Sequence, residues 1–163
     1  MGSHIIDIEG NKGTYFAVWA PNAISVTIMG DFNGWSTISH AMQPRWDTSG
    51  IWEVFIPDIG EGAIYKYCIQ TYNGKELHKG DTFARKYQIP PDTASIVCNT
   101  DYNWKDTEWI KKRKQNLGKN QPQSVYEIHL GSWKKLLDEK NRSLSYIEMA
   151  EELVGYVKKM GFT

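Results

Sequence analysis

The sequence predicts an all-β fold, an antiparallel β-sandwich, with a short α/β segment behind it. Three observations carry this. Between residues 14 and 100 the apolar residues alternate with a period of two, in short runs. Pro, Gly and Asn punctuate those runs about every ten residues, the spacing of a sandwich. After residue 124 the apolar period lengthens to that of a helix.

The first strand, 14–20, ends at Pro21-Asn22. The second, 25–30, sets Val26 and Ile28 on one face and Ser25, Thr27 and Met29 on the other. A long connection leads to Gly50 and a strand at 51–56, stopped by Pro57, with Trp52, Val54 and Ile56 sharing a face. The strand at 63–71, closed by Asn73-Gly74, places Tyr65, Tyr67 and Ile69 together and throws Lys66, Cys68 and Gln70 to the opposite side. A last strand at 94–98 follows Pro90-Pro91. Met1-Gly2-Ser3-His4 reads as a cloning remnant, so residues 1–4 are set outside the fold.

Residues 101–123 form a linker, with a basic cluster at 111–114 that reads as a solvated turn of helix and a boundary at Gly118-Lys119-Asn120-Gln121-Pro122-Gln123. Within 124–163, residues 125–130 read as a strand. Ser145 is then an N-cap completed by Glu148, and Tyr146, Met149, Ala150, Leu153, Val154 and Val157 form an apolar stripe ended by Gly161. Strand, loop and capped helix make half of a βαβ unit.

Composition narrows the function. The 163 residues carry 19 basic and 19 acidic side chains, so no electrostatic footprint for nucleic acid or an anionic membrane is present. No run of apolar residues has the length of a membrane span. Cys68 and Cys98 stand apart without a CxxC spacing and read as reduced, packed thiols of a cytosolic protein, with a disulfide as the alternative. His4, His40, His78 and His129 show no metal-ligand spacing, so neither metal nor cofactor is expected.

The candidate site is the turn Gly30-Asp31-Phe32-Asn33-Gly34-Trp35. Gly-Asp and Asn-Gly reverse the chain and leave a tryptophan at the sheet edge. A flat ring turned outward suits a flat ligand such as a pyranose, and Gly34 keeps the approach open. A Trp35 folded back to cap the core is the alternative.

Phe16-Ala17-Val18-Trp19-Ala20-Pro21, Gly30–Trp35, Gly50-Ile51-Trp52-Glu53, Tyr65-Lys66-Tyr67 and Tyr126-Glu127-Ile128-His129-Leu130-Gly131-Ser132-Trp133 stand in the order found in 1,4-α-glucan (glycogen) branching enzymes, which the chain resembles over nearly its whole length after residue 4. The first three motifs are shared with debranching enzymes and with the glycogen-binding module of an energy-sensing kinase. The His-Leu-Gly-Ser-Trp run and the helix after it point more narrowly. The resemblance implies an immunoglobulin-like carbohydrate-binding module over 5–100. It further implies that 124–163 is the truncated first strand and helix of a (β/α)8 barrel. That barrel is a retaining glycosyltransferase whose carboxylates lie on later strands, so no catalytic residue is expected here and the chain alone should be inactive.

The same resemblance gives Trp35 as the stacking platform and Lys66 as a hydroxyl-binding lysine, with Asn33 offering an amide from the same turn. Trp19 and Trp52 read as core or interface. Two departures weaken the match. Gly74-Lys75-Glu76-Leu77 replaces a second stacking tryptophan, and Asp81-Thr82 replaces Asp-Pro, removing a fixed φ. With one ring, binding of α-1,4-glucan is expected at roughly 0.1–10 mM, about 3–5.5 kcal/mol. The expected partners are glycogen or maltooligosaccharides, the rest of the barrel, and a second copy of the chain paired through the stub. A docking module without glucan binding, or the N-terminal module of a debranching hydrolase, are the alternatives.

Overall fold

The computed structural model describes residues 1–116, 122–137 and 140–162. The chain divides into two compact units, Met1–Tyr102 and Asn103–Thr163.

The first unit is built on two antiparallel sheets. In one, strands β1 (Gly2–Ile8), β2 (Asn11–Trp19), β4 (Gln43–Pro44) and β5 (Ile51–Pro57) lie in the order β1-β2-β5-β4. In the other, β3 (Ala23–Gly30), β6 (Ile64–Thr71), β8 (Lys86–Tyr87) and β9 (Ser95–Ile96) run β3-β6-β9-β8, and β7 (Glu76–Lys79) pairs with β6. Period-two alternation puts Phe16 and Ile56 from one sheet against Val26, Ile28, Tyr65 and Tyr67 from the other, all in one buried cluster. This is the antiparallel sandwich the strand pattern predicts, of the immunoglobulin-like kind the resemblance implies.

Residues 1–4 are corrected: they do not stand outside the fold. Gly2, Ser3 and His4 belong to β1, paired antiparallel with Ala17, Phe16 and Tyr15, and Ser3 is buried. The apolar periodicity is weak there, and the backbone ladder supplies what the side chains do not signal. β7 and β8 were also not anticipated, being short and polar.

The free edge of β3 is covered by its own downstream chain. Ile28 N–H donates to His40 O at 2.9 Å and Met42 N–H to Val26 O at 2.8 Å, with a bridge between Thr27 and Ala41. Those bonds hide an edge that would otherwise pair with another chain.

The second unit carries α1 (Thr107–Asn116), α2 (Leu130–Trp133), a hairpin of β10 (Lys135–Leu136) with β11 (Arg142–Ser143), and α3 (Tyr146–Lys159). The basic cluster lies in α1, where Lys111 pairs with Glu108 and Arg113 sits 5.3 Å over Trp109. Of the boundary expected at Gly118-Lys119-Asn120-Gln121-Pro122-Gln123, residues 118–121 lie outside the described residues. Ser145 and Glu148 form the expected capping box, and Gly161 ends α3 at φ +80. Its N–H donates to Lys158 O and that of Phe162 to Val157 O, a Schellman end.

The strand expected at 125–130 is not formed; 125–129 make no ladder and Leu130 opens α2. A strand exists only through a neighbour's hydrogen bonds, and none of the described residues offers one. Of the stripe on α3, Met149 is buried and Leu153 and Val157 half-buried, while Tyr146 and Val154 are exposed. Tyr126 packs on Tyr156 and Phe162, with ring centroids 5.7 and 4.9 Å apart. No helix of the described residues is long and apolar enough to cross a membrane.

Candidate functional site

The turn after β3 is fixed residue by residue. A Cβ on Gly30 would lie 2.3 Å from Ile64 O, so the chain can cross β6 there only as glycine. A short 3-10 turn, Asp31–Asn33, follows, and Gly34 and Trp35 both take left-handed backbone at φ +61 and +60. Such a conformation is costly for tryptophan, about 1–3 kcal/mol. It is held by Trp35 N–H donating to Gly30 O at 2.8 Å. Asp31 Oδ1 accepts Ile64 N–H at 3.2 Å, tying the turn to β6.

The turn divides its two aromatic rings. Phe32 goes inward, stacked on Phe16 with centroids 6.5 Å apart and edge-on to His40 at 5.6 Å. Trp35 goes outward and is 39% exposed. The core is capped, but by Phe32.

Lys66 stands opposite Met29 in the β3–β6 ladder, one position from the Gly30–Tyr65 pair. Turn and lysine are therefore at the same end of the ladder, and the lysine faces away from the core. Its Nζ donates to Thr93 Oγ1 at 2.7 Å. A threonine hydroxyl thus holds the ammonium in place, which no sequence spacing indicated.

Asn33 is placed differently from the expectation. Its Oδ1 accepts Gly30 N–H at 2.9 Å, and its amide nitrogen donates to Ile28 O at 3.0 Å and to His40 Nδ1 at 2.8 Å. Both amide hydrogens are consumed inside the turn. Asn33 fixes the turn that carries Trp35.

Behind Lys66, the buried Tyr65 and Tyr67 donate their hydroxyls to Asp81 Oδ2 at 2.7 and 3.0 Å. Asp81 is 1% exposed and also accepts Phe83 N–H at 2.8 Å, while its own N–H donates to Ser95 Oγ at 2.8 Å and Tyr87 Oη–H donates to its carbonyl. Burial first, and the Asp81 charge second, raise both tyrosines above their ordinary pKa. The loop lacking the Asp-Pro proline is thus restrained through the Asp81 side chain. Asp81 was not found as a key residue from sequence, because its partners lie 14 and 16 positions away.

Trp52 is half-buried against the core, its indole N–H donating to Ala20 O at 3.0 Å. Trp19, at the end of β2, is instead 60% exposed, donating to Ser49 O at 3.0 Å. Cys68 and Cys98 are free thiols, buried and half-buried.

The first unit is thus a two-sheet antiparallel sandwich with Trp35 turned outward and Lys66 held by Thr93 at one end of the β3–β6 ladder. Residues 1–89, over half of the chain, match Carbohydrate-binding module 48 (isoamylase N-terminal domain), and the chain belongs to that family. Across all its residues it is similar to the 1,4-alpha-glucan branching enzyme GlgB of Saccharophagus degradans, 48% identical, and to that of Aquifex aeolicus, 48% identical. Over 93% of its residues it is 50% identical to the enzyme of the same name from Corynebacterium efficiens. The chain spans 22%, 26% and 20% of those relatives' respective lengths. The pullulanase from Bacillus acidopullulyticus superposes on 61% of this chain and 12% of its own, with a TM-score of 0.49 and 24% identity.

Proposed function

We propose that this chain is the non-catalytic N-terminal region of a 1,4-α-glucan branching enzyme and that its sandwich holds linear α-1,4-glucan on Trp35 and Lys66. One observation carries the reading: the turn holds strained backbone that keeps Trp35 outward while Phe32 packs against the core. The C–H face of a glucose ring stacks on such a ring. The Lys66 ammonium, which has three donors, shares one with Thr93 and turns the rest to sugar hydroxyls. Asn33 contributes by fixing the turn. The domain division follows the same reading, with the glucan module over 5–100 extended by β1, a linker at 101–123, and the start of the catalytic barrel at 124–163.

The remaining partners rest on separate observations. Tyr126, Ile128, Leu153, Val154, Val157 and Phe162 line an apolar cleft of about 400 Å³ in the second unit. Its proposed occupant in a branching enzyme is the rest of the barrel, and in the isolated chain a second copy. Pairing through 125–130 is dropped from that dimer, since no strand is there. Light scattering showing only monomer at high concentration removes the dimer. Two free thiols fit the reducing cytoplasm, where we place the protein.

Calorimetric titration with maltoheptaose, with cellohexaose as control, tests the reading. Binding near 0.1–10 mM, roughly, by the α-glucan alone is expected. Heat from neither sugar favours a docking module whose Trp35 meets protein.

A further inference from the structure

The outward face of β6 carries a second constellation, one step along the strand from Lys66. Cys68 and His78 are directly opposed in the β6–β7 ladder, and Glu76 lies two residues before His78, opposite Gln70. Period-two alternation therefore sets all three side chains on one face. The thiol, one carboxylate oxygen and one imidazole nitrogen all lie within 4.8 Å of one another. From these donors we infer a divalent cation site of the zinc type, with Cys68, Glu76 and His78 as ligands.

The donor set selects the metal. A thiolate with an imidazole and a carboxylate suits zinc or cobalt and disfavours magnesium and calcium, which take oxygen. Three protein ligands leave a fourth tetrahedral position for water. In such a site, bonds of about 2.0–2.3 Å put ligand atoms roughly 3.5 Å apart, so the thiol and its two partners, all within 4.8 Å, draw together by up to about 1 Å while Glu76 Oε1 and His78 Nε2, now 2.7 Å apart, spread slightly. Room for this exists, since the Glu76 and His78 side chains are 41% and 43% exposed on an edge strand, whereas Cys68 is buried.

Supporting groups are in place as well. Gln70 Nε2 donates to Glu76 Oε2 at 2.7 Å, leaving Oε1 directed at His78 Nε2, 2.7 Å away. Such partners of a ligand fix its orientation and tune the affinity. Binding breaks the S–H bond, forms a metal–sulfur bond and releases one proton to solvent. Histidine spacing along the chain did not reveal the site, because its three ligands are of three types and meet only across paired strands. Bound metal would staple the edge strand β7 to β6.

The test is titration of the reduced 163-residue chain with Co²⁺ under argon, followed by displacement with Zn²⁺. One equivalent should produce tetrahedral visible bands and a thiolate-to-cobalt charge-transfer band, and Zn²⁺ should abolish both. H78A, on the exposed edge strand and expected to fold, should lose the visible bands. C68S should lose the charge-transfer band while C98S keeps it, and Q70A should weaken binding about 10- to 100-fold. Weak octahedral bands only, a charge-transfer band that persists in C68S, or unchanged binding by a folded H78A would each overturn the site.

Discussion

Replacing Asp81 by alanine should cost the sandwich about 3 kcal/mol. The carboxylate holds three donors, the hydroxyls of Tyr65 and Tyr67 and the N–H of Phe83, and both tyrosines are fully buried. A buried donor left unpartnered costs about 1–3 kcal/mol. Two such hydroxyls give about 2–6 kcal/mol, reduced by relief of the buried charge and by any water entering the space. For a domain of about 100 residues, 3 kcal/mol lowers Tm by roughly 12–24 °C. Asp81→Asn keeps an acceptor oxygen and loses only the charge assistance, so it should fall about midway. Urea unfolding followed by tryptophan fluorescence reads the difference as a shift of midpoint at unchanged slope. An Asp81→Ala protein within 0.5 kcal/mol of the parent, roughly the span of an unremarkable surface change, would refute the clamp.

Three further outcomes follow. Gly30→Ala should prevent the turn from closing, because its methyl meets Ile64 O at 2.3 Å and the Phe32 ring at 2.6 Å; a loss of about 2 kcal/mol or more in urea unfolding is expected, and an unchanged midpoint contradicts it. Trp52→Ala should destabilise by about 3 kcal/mol, since it removes a core-packed ring and leaves Ala20 O without its indole donor; near-parental stability would show that the ring merely lies on the surface. Paired bidentately with Arg142 and capped by Ser145, Glu148 is held at a pKa of about 2, below its ordinary 4.5. A lowered folded value means its stabilisation is complete above 4.5 and lost as pH falls from there through about 2. Circular dichroism should show helix content falling in that window, and Arg142→Ala should move the loss to higher pH.

The strands with an apolar face were legible because burial and period two coincide in them: Val26 and Ile28, Trp52, Val54 and Ile56, Tyr65 and Tyr67. β1, β7 and β8 were not, because these segments lack a clear apolar alternation and Gly2, Glu76 and Lys86 owe their strand state to backbone ladders with Ala17, Gln70 and Ile96. Residues 125–130 failed the other way. Val125-Tyr126-Glu127-Ile128 has strand composition, yet composition cannot supply a neighbour. In the candidate site, the Gly-Asp and Asn-Gly pairs announced the turn. That Asn33 would spend its amide inside it, and that Thr93 would hold Lys66, depended on contacts spanning 3 to 27 positions.

The central claim, a glucan platform on Trp35, is met most directly by comparing maltoheptaose titrations of the parent and Trp35→Ala, each shown folded by circular dichroism. Trp46, 95% exposed in a separate loop, serves as the control substitution. Trp35→Ala should lose about 1–3 kcal/mol of binding by analogy with base stacking on aromatics, roughly 5- to 150-fold, while Trp46→Ala binds as the parent does. A folded Trp35→Ala protein with parental affinity would contradict the account.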